Sequence, residues 1–339
     1  MSCRRIPARV RRFWLVWLIG AILLPNVALA HESQPGLLEL RELAPERWEV
    51  TWRAPIYYGR PHPAQLELPS HWQPVAAPTV RQLADSALHR QIVSLDGDAF
   101  DGSLIRFPGL EATITDVFVR VSRLDGSESS QVVRPTRPVA ELRGERPWTK
   151  TAGEYLVLGF HHILMGVDHL LFVLGLLIIV RGPRQLIETI TAFTVAHSIT
   201  LALATLGYAS IPAPPLNAAI ALSILFLGPE IVRVWRGQTS FTIRHPWVVA
   251  FGFGLLHGFG FASGLSTVGM PQAEIPLALL MFNIGVELGQ LAFVGLFLLL
   301  QRAVRVLELR WPRWAELGPA YLVGTLGAYW TIQRTAMML

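Results

Sequence analysis

The residues of this sequence that could do chemistry lie inside its most apolar part. The apolar stretch 159–180 carries His161, His162, Asp168 and His169. A bilayer crossing takes about 20 apolar residues, and ionisable side chains inside one are costly and usually mark a functional site. Later apolar stretches carry further polar side chains: His197, His257, Asn283, Glu287 and Gln290. The pattern predicts a polar site within a membrane domain.

Imidazole and carboxylate groups together predict a metal site. Both are ligands for divalent transition metals such as Ni²⁺, Co²⁺, Zn²⁺ and Cu²⁺, and a bound cation would compensate the buried acids. On a continuous helix, His162 and His169 share one face and lie about 10 Å apart along the axis. The expected ligands are His162, Asp168, His169, His197, His257 and Glu287, with His161, Asn283 and Gln290 as supporting residues around them.

The first 30 residues predict a cleaved signal peptide. An apolar core at 13–24 precedes a small-residue cleavage pattern at 28–30, and it follows a basic segment containing Arg4, Arg5, Arg9, Arg11 and Arg12. Cleavage removes these arginines and no acid, so the formal charge of +5 falls to zero and no basic footprint for nucleic acid remains. The single cysteine, Cys3, leaves as well, which excludes disulfides and thiolate ligands from the mature chain.

Residues 31–147 predict an all-β, sandwich-like extracytoplasmic domain. In RWEVTWRAP, the side chains of Trp48, Val50 and Trp52 alternate onto one face. A second alternating run, ATITDVFVRVSRLDG, ends in an Asp-Gly turn signal at 125–126. About seven such runs, separated by proline and glycine, are typical of a β-sandwich.

Residues 148–339 predict six transmembrane helices, near 154–180, 186–207, 212–232, 247–268, 275–300 and 316–333. The loops after the first, third and fifth of them hold nine arginines, whereas the loops after the second and fourth hold no lysine or arginine. Positive loops stay in the cytoplasm. We therefore expect a multi-pass protein of the inner (plasma) membrane, with the β domain and the C-terminus outside.

Five segments resemble the HupE/UreJ family of membrane proteins, specifically its long subgroup with an extracytoplasmic N-terminal domain. They are GFHHILMGVDHLLFVLGLL, TAFTVAHSITLALATLG, ALSI, FGLLHGFGFA and FNIGVELGQL. The resemblance implies a nickel or cobalt permease of the kind that serves hydrogenase and urease. The family's His-x5-Asp-His motif maps onto His162, Asp168 and His169.

The second motif of the family, Phe-His-Gly-x-Ala/Val-x-Glu, is kept only in part. His257 and Gly258 match it, but Ala262 stands where the family has glutamate. This departure weakens the assignment of nickel. Glu287 is expected to supply the missing carboxylate.

Two functions fit these residues. In a transition-metal permease, the ion exchanges its waters for protein ligands partway across the membrane. In the alternative, an intramembrane metal-dependent hydrolase acts on a lipid or another membrane substrate, with Glu287 or Asp168 as general base beside a zinc-bound water. The transporter is favoured and no catalytic residue is assigned. The sequence does not name the ion, the direction of transport or the oligomeric state.

A separate hypothesis places a further metal site outside the membrane, although His31 can equally be just the residue that follows the cleavage point. Cleavage after Ala30 would leave His31 as the first residue of the mature chain. A terminal amine and an imidazole on one residue can chelate Cu²⁺ or Ni²⁺ together. Such a residue would suit the capture of an ion before it reaches the membrane site.

Overall fold

The computed structural model describes residues 35–57, 60–83, 86–95, 100–113, 115–143, 147–266, 273–306 and 313–338. An N-terminal β-sheet region precedes a helical region, as the sequence predicts. The predicted signal peptide and His31 lie outside the described residues.

The β-sheet region contains one large sheet and one small sheet. Its strands are β1 Gly36–Ala44, β2 Arg47–Tyr57, β3 Arg60–Pro61, β4 Gln73–Pro74, β5 Thr79–Gln82, β6 Ser86–Ser94, β7 Leu104–Arg106, β8 Val117–Ser122, β9 Glu128–Val133 and β10 Val139–Glu141. The large sheet has the order β4-β6-β2-β1-β8-β9, with β3 beside β2 and β5 beside β6, and β7 pairs with β10. The central strands β1 and β8 run parallel, whereas the other described strand pairs are antiparallel.

The hydrophobic core of this region lies between the two sheets. Trp48, Val50 and Trp52 are each at most 4% exposed, so their predicted placement on one buried face is confirmed. Ile105 from β7 and Ala140 from β10 pack into the same cluster. The two layers are unequal, because the second contains only two short strands, and loop side chains complete it.

The turn between β8 and β9 follows its sequence signal. Gly126 has a φ of +82°, a conformation that side chains other than glycine rarely adopt. The carboxylate of Asp125 accepts a hydrogen bond from the backbone N–H of Ser127 at 2.8 Å. These contacts fix the register in which β9 returns along β8.

Asp116, which directly precedes β8, makes the stability of the protein depend on pH. Burial raises the pKa of its carboxyl group from 3.8 to about 6, although the nearby charge of Arg134 acts in the opposite direction. The folded state therefore binds this proton more tightly than the unfolded state does. The stabilisation is complete below about pH 4 and is lost as the pH rises through 6.

We expect Asp116→Asn to raise the unfolding free energy of the full-length protein at pH 8 by up to about 3 kcal/mol. At pH 4 the variant and the wild type should be nearly equal. Thermal unfolding in detergent at pH 4, 6 and 8 measures this. Asp125→Asn is the control with the opposite sign, because hydrogen bonds from Ser127 lower the pKa of Asp125. A lower midpoint for Asp116→Asn at pH 8 would contradict the prediction.

The helical region contains eight described helices. They are α1 Trp148–Met165, α2 Val167–Ile179, α3 Pro183–Thr205, α4 Ala213–Trp235, α5 Phe241–Arg244, α6 Pro246–Ser266, α7 Ile275–Val306 and α8 Arg313–Ala336. Helices α3, α4 and α6 begin at or next to a proline, which is favourable at the first turn because that turn has no use for the missing N–H.

Three of these helices are long and apolar enough to cross a membrane, namely α3, α4 and α7 over Ile275–Ala303. Helices α1 and α2 meet the same standard together, but they are bent by 73° where they join. Helix α6 contributes a shorter apolar segment, Pro246–Phe261. The described part of the chain therefore holds three or four candidate spans.

The β-sheet region packs on the start of α1. Phe118 points to the opposite face of β8 from Val117 and Val119, because side chains alternate along a strand. Its ring lies 6.5 Å from that of Tyr155 in α1, within a cluster shared with α7. The carboxylate of Glu154 accepts a hydrogen bond from the backbone of β9 at 3.2 Å. The starts of α1 and α7 therefore lie at the end of the helical region that meets the sheet.

Helices α3 and α6 approach each other through glycines. A Cβ on Gly254 would lie 2.4 Å from the carbonyl oxygen of Phe193, and one on Gly258 would lie 2.3 Å from that of His197. Only glycine at these two positions lets the two backbones approach so closely. The contact places His257 of α6 beside the polar face of α3.

Candidate metal centre

A break in the helix brings His162 and His169 together. Gly166 ends α1 and precedes α2 with φ −78° and ψ 91°, which is not helical. The two ring centroids are 4.8 Å apart, whereas a continuous helix would separate the residues by about 10 Å. The expectation of one straight first span is therefore wrong. The bend is possible because a Cβ at position 166 would lie 2.8 Å from Nδ1 of His169, a space that only glycine leaves open.

A third histidine joins this pair from α3. One ring nitrogen each from His162, His169 and His197 lie within 4.8 Å of one another. The Nε2 atoms of His162 and His197 are buried and have no hydrogen-bond partner among the described residues. Buried polar atoms are nearly always satisfied, so these nitrogens point to a ligand.

The other nitrogens of two rings are held by neighbouring residues. Nδ1 of His169 lies 3.1 Å from Oδ1 of Asp168. Nδ1 of His197 lies 3.2 Å from Oδ1 of Asn283, whose amide NH₂ donates to the carbonyl of Leu279 at 2.7 Å. Both acceptors are oxygens, so each Nδ1 carries the proton and each Nε2 keeps its lone pair. This arrangement is common behind metal-bound histidines.

His257 lies behind His169, with ring centroids 5.0 Å apart. Its Nε2 is 3.1 Å from Oγ of Ser223, and that hydroxyl donates its own proton to the carbonyl of Ile220 at 2.7 Å. Nε2 of His257 must therefore be the donor, which leaves a lone pair on Nδ1. That buried atom has no partner among the described residues. His257 is a fourth imidazole near the cluster but not one of the three that converge.

Aromatic rings surround the imidazoles. Phe261 stands 4.5 Å from His162, Phe282 stands 5.5 Å from it, and Phe172 stands 5.4 Å from His257. Such a shell excludes water, which strengthens the attraction of the imidazole lone pairs for a cation.

The donor set fits a transition-metal ion. Neutral imidazole suits Zn²⁺, Cu²⁺, Ni²⁺ and related ions. With metal–nitrogen distances of about 2.0–2.1 Å, two ligands of one ion are at most about 4.2 Å apart, so the rings must close by roughly 1 Å around it. Rotation of the three side chains can supply a movement of that size.

The remaining predicted site residues lie in different places. Asp168 holds His169 and is not in the three-nitrogen group. His161 is exposed on the surface of α1. Glu287 accepts a hydrogen bond from Thr191 at 2.7 Å and is not in the group either. Gln290 accepts one from Thr194 at 3.1 Å. Of the predicted ligands, the structure brings His162, His169 and His197 together. Asp168 and His257 lie beside His169, whereas Glu287 faces a different part of α3.

The sequence analysis missed Arg334, which is only 8% exposed. Its guanidinium lies 3.9 Å from Oδ2 of Asp168 and donates to the backbone carbonyl of Asn217 at 2.9 Å. A lone arginine at the end of an apolar run was the available signal. That signal does not identify a partner, because Asp168 is far away in sequence.

Comparison with known families adds to this geometry. A family model described as HupE / UreJ protein matches residues 139–334, more than half of the chain. The chain belongs to the HupE/UreJ family. The HupE/UreJ match begins in β10 and ends at Arg334, so it includes the three converging histidines and leaves β1 to β9 outside. No curated protein matches the chain.

Proposed function

We propose that this HupE/UreJ protein is a permease for a divalent transition metal of the nickel and cobalt type. The family is associated with nickel and cobalt transport. The observation that carries the proposal is the set of three imidazole nitrogens within 4.8 Å, drawn from α1, α2 and α3. These histidines lie inside helices that are apolar enough to cross a membrane. A cation held there would be partway across the bilayer.

The proposed permease has six membrane spans, a cleaved signal peptide ending at Ala30, and a β domain outside an inner membrane. Helices α1/α2, α3, α4, α6, α7 and α8 would be the spans. The starts of α1 and α7 both meet the β-sheet region, as this topology requires, and the arginine-rich loops would face the cytoplasm. A reporter that works only in the cytoplasm should then be active when it is fused after Gly237. A reporter that works only outside the membrane should be active when it is fused at Ser130.

The hydrolase alternative has less support. A hydrolytic centre needs a general base within hydrogen-bond reach of a metal-bound water. Asp168 already accepts from His169 and faces Arg334, and Glu287 accepts from Thr191. Neither carboxylate is placed beside the three nitrogens as a base would be.

Cobalt binding tests the metal centre directly. We expect purified full-length protein in detergent to bind Co²⁺ with the visible absorption of nitrogen coordination. Alanine substitution of His162, His169 or His197 removes one of three ligands, so each should weaken binding by at least about a hundredfold. Uptake of Co²⁺ into proteoliposomes should fall in parallel.

The control is His161→Ala, which removes the same side chain from the exposed neighbour of His162 and should change the Kd less than about twofold. His257→Ala should weaken Co²⁺ binding by an amount between these limits, because the His257 ring packs against His169 but is not one of the three that converge. If the three converging histidines can each be replaced without loss of Co²⁺ binding, the proposed permease site is wrong.

A further inference from the structure

The acids of the membrane helices differ in how their charge is balanced. Each acidic side chain of α2, α3 and α4 has an arginine within 4.0 Å. The pairs are Asp168 with Arg334 at 3.9 Å, Glu188 with Arg184 at 2.9 Å, and Glu230 with Arg233. Glu287, the only acid of α7, has no basic partner among the described residues.

Glu287 lies deep in the helical region. It is the thirteenth residue of α7, about 18 Å along the helix axis, which is near the middle of a 30 Å hydrocarbon layer. An uncompensated carboxylate at such a depth is costly and marks a functional position. The hydroxyl of Thr191, at 2.7 Å, supplies one hydrogen bond but no positive charge.

Polar pairs connect Glu287 with the histidine cluster along the contact of α3 with α7. The first pair is His197 with Asn283 at 3.2 Å, and the next is Thr194 with Gln290 at 3.1 Å. Thr191 with Glu287 is the third and is only partly buried. We call these three pairs the α3–α7 polar seam. Thr191 is six residues before His197, about 9 Å nearer the start of α3.

We propose that Glu287 and Thr191 form a second cation site, which receives the divalent metal ion on the cytoplasmic side of the histidine cluster. This inference rests on the proposed permease function and its topology. The carboxylate supplies the charge, and the hydroxyl oxygen of Thr191 is a second ligand. The partly buried position leaves room for waters of hydration.

The two sites differ in their affinity for the ion. Imidazole nitrogens bind Ni²⁺ and Co²⁺ more strongly than carboxylate and hydroxyl oxygens do. An ion bound by the three histidines would be trapped there if no other ligand were close enough to receive it. The α3–α7 polar seam offers a weaker, negatively charged site one to two helical turns away, so the ion can leave the histidines without crossing bare hydrocarbon.

Co²⁺ titration of the full chain in detergent separates the two sites. We expect the wild type to bind one tight and one weaker equivalent. Glu287→Gln should lose the weaker equivalent and keep the tight one, with its Kd within about twofold and its visible spectrum unchanged. Thr191→Val should weaken the second equivalent several-fold. Co²⁺ flux into proteoliposomes should fall at least about tenfold in Glu287→Gln.

Glu188→Gln is the matched control, because it neutralises an acid of α3 that already has an arginine; both equivalents should remain. Identical isotherms for Glu287→Gln and the wild type would overturn the second site, and so would loss of the tight equivalent in that variant. Failure of the second site can be distinguished from failure of the proposed permease function. His169→Ala reports on the tight equivalent and the glutamine variant on the weaker one.

Discussion

Gly166→Ala should weaken Co²⁺ binding by about tenfold to a hundredfold, the range found when residues behind metal ligands are changed. The added Cβ would lie 2.8 Å from Nδ1 of His169 and 2.9 Å from the carbonyl oxygen of His162. The imidazole of His169 must then move away from Asp168. Alanine also favours continuation of α1 as a straight helix, which moves His169 further from His162. The binding isotherm of the full-length protein measures the loss.

Gly153→Ala provides the matched control in the same helix. A Cβ at position 153 meets nothing within 4 Å, so this variant should keep the wild-type Kd and gain slightly in stability. Gel filtration and thermal unfolding show whether the Gly166 variant is folded when its affinity is read. Wild-type affinity in folded Gly166→Ala would show that the bend does not position the ligands.

Arg334→Met should lower the unfolding free energy by about 3–5 kcal/mol, the cost of removing one partner of a buried ion pair. The substitution removes the guanidinium that faces Asp168 at 3.9 Å and also the hydrogen bond to Asn217. It leaves the carboxylate of Asp168, which is only 4% exposed, without that positive charge. Denaturation in detergent measures the change, and Co²⁺ affinity should fall as well because Asp168 orients His169.

Asp168→Asn combined with Arg334→Met separates charge from packing. If the two residues act as a pair, the double variant should be more stable than the sum of the single effects predicts, by about 2 kcal/mol. Arg184→Met is the control, since its pair with Glu188 is exposed and such pairs contribute at most about 1 kcal/mol. Strict additivity in the double variant would refute the coupling of Arg334 with Asp168.

Periodicity and composition are enough to predict the helical segments and the approach of the histidines. Each predicted span coincides with a helix or, for the first, with the α1–α2 pair. His197 and the His162/His169 pair lie on polar faces of otherwise apolar helices, and such faces turn towards one another because lipid disfavours them. The buried face of β2 follows in the same way from alternation.

The rest depends on packing between distant segments. The bend at Gly166 cannot be inferred from an apolar run, since glycine also occurs inside straight membrane helices. The burial of Arg334 requires a carboxylate from α2, and Glu287 is turned towards Thr191 by the way α7 lies against α3. The sequence analysis therefore predicts one site for Glu287 and the histidines, whereas the rotation of α7 separates them.

The parallel pairing of β1 with β8 sets the order of events during synthesis. Gly36 pairs with Val117 and Arg41 with Ser122, so the first strand of the large sheet waits for a partner that follows about 80 residues later. At about 5–20 residues per second, the delay is roughly 4–16 s. During this time the edge of β1 that does not pair with β2 stays open, and another chain can join it. Strand β9, which completes the large sheet, ends at Val133, 15 residues before α1 begins at Trp148. The strand that carries Phe118, on which Tyr155 of α1 packs, and its neighbour β9 are therefore both made before α1.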